Sequence, residues 1–264
     1  VKMNESELDR YSRQLLLTNF DIQGQLNLAQ AKVLVIGLGG LGNIAATYLA
    51  TSGVGYLILA DGDQLESSNL PRQVLYDESQ IGLNKVDAAA KQIALKNQAV
   101  KVEVIAQKLS GDSLLNAVEQ ADVVLDCTDN FTARQAINRA CLSLKKPLVS
   151  AAAIRWEGQL VSFLYHQHSA PCYECLYPSL SDQQLSCNES GIVAPVVGLL
   201  GVYQALEALK LASGCGKVKH GVLRLFDGFE GEWREMRLTQ DPECLACSQE
   251  AGVMVKISPT LENS

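Results

Sequence analysis

Residues 32–61 read KVLVIGLGGLGNIAATYLATSGVGYLILAD, and this stretch decides the architecture. It opens with a short β-branched run (32–37), passes through a glycine-rich turn, continues as a helix with small residues on one face (41–51), and closes on a second apolar run (56–61). Strand, turn, helix, strand is a βαβ unit with parallel strands and a right-handed crossover. Gly37, Gly39 and Gly42 occupy a G-x-G-x-x-G frame, with Gly40 beside them, and Asp61 ends the second strand. Glycine permits a tight turn and close approach of the backbone to phosphate; the helix N-terminus supplies N–H donors; Asp61 can accept from ribose hydroxyls. The stretch predicts a nucleotide site without choosing between NAD and ATP. A glycine turn required only for packing is the plainer alternative.

Outward from this unit the same rhythm continues. The pattern predicts a helix over 85–97, a strand over 100–106, a helix over 112–120, a strand over 121–126, a helix over 131–144 and a strand over 147–152. After residue 155 it changes to an alternating strand (158–166), a Cys/Pro/Ser-rich connection (171–191), a long helix (194–212) and two late strands, VLRLFDG and EWREMRL, around GFEGE (228–232). The expected class is α/β: a Rossmann-like, doubly wound, mostly parallel sheet with an antiparallel C-terminal extension. With no fixed-period repeat and no linker, residues 1–250 are expected to form one domain, with 251–264 a flexible tail.

Composition narrows the partners. The chain has 264 residues, 47% apolar and 19% charged, enough for a sizeable core. Lys and Arg total 22 against 29 Asp and Glu, a net charge of −7 with no basic run, which argues against nucleic acid. The longest uncharged apolar run, 192–206, contains Pro195, Gly198 and Gly201 and reads as a buried helix rather than a membrane span. The polar, acidic start VKMNESELDR lacks the pattern of a secretory signal, so a cytoplasmic location is expected.

Two further constellations carry chemistry. Asn69 and Arg72 in SNLPRQ, Lys85, and Asp129 in DCTDN all follow predicted strands, and C-terminal strand ends line the crevice of an open parallel sheet. Cations suit a triphosphate and a carboxylate suits Mg²⁺; taken singly, Arg72 and Lys85 read equally well as solvated charges. Of eight cysteines, Cys172/Cys175 and Cys244/Cys247 form two C-x-x-C pairs, the ligand set of a structural zinc. The rival, a thioredoxin-like redox pair, is disfavoured because neither pair follows a strand to open a helix, and Pro171, Pro178 and Pro242 mark both as loop knuckles. Cys187 reads equally as a nucleophile for an activated acyl group or as a small buried hydrophobe, while Cys127, Cys141 and Cys215 read as packing. His166 and His168 suggest no role.

Together, RYSRQ (10–14), GLGGLG, the strand end at Asp61–Asp63, SNLPRQ, Lys85, DCTDN, the cysteine quartet and FDG resemble the ThiF/MoeB/HesA family of E1-like enzymes, over about residues 5–248. The resemblance implies adenylation of the C-terminal Gly-Gly carboxylate of a ubiquitin-like β-grasp sulfur carrier by MgATP, in thiamin or molybdopterin biosynthesis. It implies that Asp61 holds the ribose, that Asn69, Arg72 and Lys85 hold the phosphates, and that Asp129 holds Mg²⁺. It further implies that Arg13 reaches the triphosphate of a neighbouring subunit, making a homodimer to which the helix 194–212 contributes. The nucleotide half would be about 1–150 and the carrier-binding and zinc half about 151–250. Pro71 departs from the Gln common at that place, which bears on loop geometry. AIRWEGQ and EWREMRL look closer to the molybdopterin branch, LRLFDG and VVGLLG to the thiamin branch. Sulfur is expected from a separate sulfurtransferase or cysteine desulfurase. The alternatives are an NAD-dependent oxidoreductase and a non-catalytic, zinc-stabilised scaffold that binds a β-grasp partner.

Overall fold

A computed structural model of the chain describes residues 3–165, 171–178 and 191–248. Eight strands form one sheet in the order β3-β2-β1-β4-β5-β6-β7-β8. The first five, β1 (Lys32–Ile36), β2 (Tyr56–Ala60), β3 (Lys101–Ile105), β4 (Val123–Asp126) and β5 (Leu148–Ile154), are parallel. The last three, β6 (Glu157–Phe163), β7 (Val222–Asp227) and β8 (Glu232–Arg237), continue the sheet antiparallel. Short helices α1 (Glu5–Arg10) and α2 (Ser12–Leu15) lead into α3 (Asp21–Gln30). The parallel strands are joined through α4 (Gly40–Ser52), α5 (Lys85–Lys96), α6 (Gly111–Gln120) and α7 (Phe131–Ser143). One helical turn, α8 (Tyr173–Leu176), precedes the long α9 (Ala194–Ser213).

Strands β1, β2 and β4 are buried along nearly their whole length, because helices cover both faces. Alternation divides the core into two layers. Val33, Val35, Leu57, Leu59 and Leu125 face α4, α5 and α9, whereas Leu34, Ile36, Ile58 and Val124 face α6 and α7. Chain order reverses between β1 and β4, whose C-terminal ends therefore open a crevice.

Helix α9 seals the first layer against α4. A Cβ at Gly201 would stand 2.6 Å from the Leu41 carbonyl oxygen, and one at Gly158 would stand 2.4 Å from Leu200 Cδ2, so both glycines serve close approach. By length and composition α9 is apolar enough to cross a membrane. Its buried face nevertheless carries Gln204 and Glu207, both fully buried; Glu207 accepts from Lys210 Nζ (2.7 Å) and Ser162 Oγ (3.2 Å) and lies 3.6 Å from Arg224. The predicted buried helix is thus present and runs on to Ser213.

Two details depart from expectation. The first C-x-x-C pair is not a plain loop knuckle: Cys172 is the N-cap of α8 and Cys175 lies on it. Pro171 leaves the residues that follow it free to turn. The strand predicted over 147–152 extends to Ile154, because its end pairs with Glu157 across a two-residue turn whose first residue, Arg155, has φ +53°.

Candidate active site

The glycine turn is forced by its surroundings. Gly37 sits at φ +90°, and a Cβ there would stand 2.8 Å from the Cys127 carbonyl oxygen. A Cβ on Gly42 would fall 1.8 Å from the Gly37 carbonyl oxygen. Gly39 is the N-cap of α4, so the first N–H groups of that helix face the crevice without intrahelical partners. Gly42→Ala is expected to cost about 3 kcal/mol of stability by overpacking the turn and to remove nucleotide binding. Denaturant unfolding and a nucleotide-induced melting shift check both.

Asn43, fully buried one turn into α4, donates to the carbonyl oxygens of Gly39 (2.6 Å) and Gly40 (2.8 Å) and accepts from Leu75 N–H (3.2 Å). It thereby ties the glycine turn to the segment after SNLPRQ. Asp61 accepts from Leu38 N–H (2.6 Å) and Asp63 N–H (2.8 Å), which places its carboxylate against the glycine turn at the end of β2. Tyr76 donates to the Leu38 carbonyl (3.0 Å); burial, with the Asp61 charge, pushes its phenol pKa well up, so it stays a donor.

Lys85 is buried and pairs with Asp63 at 3.2 Å, and the exposed Lys108 pairs with the same carboxylate at 3.3 Å. Burial opposes ionisation of Asp63, but the two ammoniums outweigh it and hold its pKa below the usual value. Arg72 donates to the Ser68 carbonyl (2.9 Å), and its Cγ lies 3.6 Å from where a Gly40 Cβ would be. Asn69 is buried and its amide closes its own turn: Oδ1 accepts from Glu66 N–H (3.3 Å) and Nδ2 contacts Ser68 Oγ (3.5 Å).

Asp129 follows β4, exposed, its carboxylate receiving one long contact from Asn130 Nδ2 (3.4 Å). The turn that carries it is held by Arg134, which donates to the Thr128 carbonyl through Nη2 (2.6 Å) and Nε (3.2 Å), and by Asp126, which accepts from Thr128 N–H (3.1 Å) and Oγ1 (2.6 Å). Gln204 of α9 donates to the Asp126 carbonyl (2.8 Å) and accepts from Cys127 Sγ (3.3 Å). Burial raises the Cys127 thiol well above its ordinary pKa, which fits a packed rather than reactive group. A cavity of about 180 Å³ opens beside Asp129, walled by Ala152, Ala153, Gly158 and Tyr177. A larger one, about 310 Å³, lies between Lys32, Tyr56 and Lys101. Those residues begin their strands, so it opens roughly 17 Å from the crevice.

The fold thus brings Gly37, Gly39, Gly40, Gly42, Asp61, Asn69, Arg72, Lys85 and Asp129 to one end of the sheet. Arg13 is not among them. Its neighbour Gln14 donates to the Ser52 carbonyl at the far end of α4 (3.0 Å), about 20 Å from the glycine turn. Cys187, His166 and His168 lie outside the described residues. Sequence reading passed over Asn43, Arg134 and Gln204; it named Asp63 as part of the strand-end motif but gave it no role.

Cys172, Cys175, Cys244 and Cys247 bring their sulfurs within 4.8 Å of one another. The separations are 4.0 Å for Cys172–Cys175, 3.7 Å for Cys172–Cys244 and 3.4 Å for Cys175–Cys247. A tetrahedral ion with metal–sulfur bonds of about 2.3 Å spaces its sulfurs about 3.8 Å apart, so the set fits a tetrathiolate site. Cys172 and Cys247 thiols, with the N–H groups of Cys172 and Asp241, favour the thiolate of Cys175 against the penalty of burial. Around the set, Asn138 Nδ2 contacts Cys172 Sγ (3.7 Å) and Glu174 Oε1 (3.0 Å), and Arg139 grips Glu174 through two nitrogens (2.9 and 2.7 Å). These bonds fasten the cysteines to α7, which begins at the Asp129 turn.

Comparison with known proteins adds kinship to this geometry. The model of the ThiF family matches residues 11–246. The sulfur carrier protein ThiS adenylyltransferase of Escherichia coli strain K12 is 44% identical over 245 residues, 93% of this chain and 97% of that protein. The molybdopterin-synthase adenylyltransferase of the same organism is 40% identical over 249 residues, 94% of this chain and all of that protein. The adenylyltransferase and sulfurtransferase MOCS3 of Bos taurus is 45% identical, the match spanning 94% of this chain and 54% of that one. Among solved structures, E. coli MccB with ATP superposes with a TM-score of 0.79 at 26% identity, covering 93% of this chain and 75% of that chain.

Proposed function

The chain belongs to the ThiF family, and from that premise we propose that it is an ATP-dependent adenylyltransferase activating the C-terminal glycine carboxylate of a sulfur carrier protein of ThiS or MoaD type. One observation supports this above the others: the glycine turn, Asp61, the SNLPRQ turn, Lys85 and Asp129 meet at one crevice in a chain 44% identical to a ThiS adenylyltransferase. A carboxylate oxygen of the carrier attacks the α-phosphorus of ATP, the bond from that phosphorus to the bridging oxygen breaks, and pyrophosphate leaves with the electron pair. Such in-line displacement asks the protein to align reactants and neutralise charge rather than to shuttle protons.

Each residue has a part in that task. The free N–H groups of the α4 N-terminus donate to the phosphates, Asp61 takes the ribose hydroxyls, and Arg72 and Lys85 neutralise the triphosphate. Asp63 fixes the position of the Lys85 ammonium through their 3.2 Å ion pair. Asp129, exposed and uncommitted, fits Mg²⁺, which supplies charge neutralisation to the phosphates when bound. The cavity beside Asp129, where Ala152, Ala153 and Gly158 leave room between Phe131, Tyr177 and Leu225, is proposed to receive the carrier's glycine tail. The cysteine quartet fits zinc; with all four positions filled by sulfur, its role is structural.

Arg13, distant from the crevice of its own chain, is proposed to serve the partner's crevice in a homodimer. Leu199, Val202 and Leu206 form an exposed stripe on α9 suited to that contact. Cys187 is proposed as an accessory nucleophile toward the acyl-adenylate, and a separate sulfurtransferase or cysteine desulfurase as the sulfur donor. The described half of the chain after residue 150 is proposed to receive the carrier, in the cytoplasm. Kinship with named adenylyltransferases sets the oxidoreductase alternative aside.

ATP–pyrophosphate exchange tests the proposal. Label is expected to enter ATP only when a ThiS-type or MoaD-type carrier ending in Gly-Gly is present, and to stop when its last glycine is removed. Absence of exchange with both carriers would overturn the assignment.

A further inference from the structure

Two side-chain amides aim N–H groups at the sulfurs of the cysteine quartet. Asn138 Nδ2 stands 3.7 Å from Cys172 Sγ, and Gln240 Nε2 stands 3.7 Å from Cys247 Sγ. They come from separate places, Asn138 from α7 and Gln240 from the segment after β8, and each serves a different C-x-x-C pair. The backbone donors, from Cys172 (3.5 Å) and Asp241 (3.4 Å), both go to Cys175 Sγ. A zinc ion held by four thiolates leaves a net dianion, and with Cys172 and Cys244 buried, that charge depends on protein donors in place of water.

The two ends of the Asn138 amide do different work. Its Oδ1 accepts from Tyr165 Oη and from Tyr173 N–H (3.0 Å), which joins α7 to the chain beyond β6 and to α8. Its Nδ2 divides between Glu174 Oε1 (3.0 Å) and Cys172 Sγ. Asn138 is fully buried, so an N–H spent on a poor acceptor is not made good by water. A neutral thiol is a weak acceptor, whereas a thiolate receives the stronger, charge-assisted hydrogen bond. Gln240 repeats the division, with Nε2 donating to the Cys247 carbonyl (3.0 Å) and to its sulfur.

Resting on the zinc reading above, we propose that Asn138 and Gln240 are metal-retention residues: their amide N–H groups donate to the thiolates of Cys172 and Cys247 and slow the loss of a zinc ion held there. The donors draw charge from the sulfurs and so lower the cost of a buried dianion.

The test compares wild type with Asn138→Asp, Gln240→Met and Tyr165→Phe. Aspartate keeps the acceptor that serves Tyr165 and Tyr173 and removes the N–H groups; methionine keeps length and removes the amide. Tyr165→Phe removes a fold contact of the same asparagine and leaves its N–H groups in place. Zinc transfer from the loaded chain to pyridylazoresorcinol is timed, the cobalt(II)-substituted chain is scanned for its sulfur-to-metal charge-transfer band, and melting is recorded. Asn138→Asp is expected to release zinc about tenfold faster or more, and half-buried Gln240→Met by a smaller factor. In both, the band is expected to move to longer wavelength, because a sulfur without its donor gives up charge more readily. Tyr165→Phe is expected to melt lower with release and band unchanged. Wild-type release and band in Asn138→Asp and Gln240→Met, whatever their melting, would make both amides fold residues and overturn the proposal while leaving the zinc reading intact. An equal shift in Tyr165→Phe would assign the effect to packing and overturn it as well. If Asn138→Asp does not fold, the Gln240→Met band decides, and a wild-type position overturns the proposal. A wild-type chain that holds no zinc and gives cobalt no charge-transfer band would overturn the zinc reading and this proposal together.

Discussion

Asp129→Ala is expected to lower carrier-dependent ATP–pyrophosphate exchange by on the order of 10³-fold, while binding of the carrier changes little. The expectation rests on what the carboxylate does not do in the protein alone. It is exposed, accepts one long contact from Asn130 and takes no part in a salt bridge among the described residues. The turn beneath it is held by other groups: Arg134 and Asp126 grip Thr128, and Gln204 holds the Asp126 carbonyl. Truncation at Asp129 therefore removes the charge proposed to bind Mg²⁺ without loosening its support. Steady-state exchange with carrier titration, and calorimetric binding of the carrier, separate the effects. Equal losses in both would assign Asp129 to the carrier-docking surface instead.

Cys172→Ser is expected to abolish metal retention at the proposed zinc site and to cause the largest stability loss of any single replacement considered. Cys172 is buried, N-caps α8 and lies 3.7 Å from Cys244 across 72 residues of chain. Losing a closed four-sulfur site removes binding free energy that is also folding free energy. If roughly 5 kcal/mol is lost, a domain of this size melts about 10–20 °C lower. Elemental analysis should give substoichiometric zinc together with the lower melting temperature. Full zinc content with normal melting would rule out the metal assignment. Wild type stripped by a chelator should fall in the same direction, which tests the metal apart from the mutation.

How much of this was legible beforehand depended on whether the signal was local. The βαβ unit at 32–61 could be read because glycine spacing and apolar runs are properties of neighbouring residues. The cysteine quartet could be read because each pair carries its own spacing. Asn43, Arg134 and Gln204 could not, since each bonds to backbone carbonyls and a carbonyl leaves no mark in sequence. Gln204 bonds Asp126 from 78 residues away. The change of rhythm after residue 155 was legible, but the tight turn that makes it at β5–β6 was muted. This two-residue turn uses Arg155 and Trp156, and Arg155 adopts φ +53° where a glycine or asparagine would have announced it. Pro171 misdirected the reading of Cys172, because a proline marks where a helix cannot continue, not where the next may start.

The distance along the chain between the two cysteine pairs also sets a timetable. Cys172 and Cys175 emerge during synthesis 72 residues ahead of Cys244 and Cys247. At 5–20 residues per second that is a wait of roughly 4–14 s. All five parallel strands precede residue 155 and are already made when the wait begins. The nucleotide crevice can therefore assemble on the nascent chain, while the metal clasp closes last. In that interval the first cysteine pair is a reduced, incomplete ligand set. With zinc at the proposed site, metal supply and thiol reduction bear on the yield of mature protein at one late step, after the five parallel strands have been made.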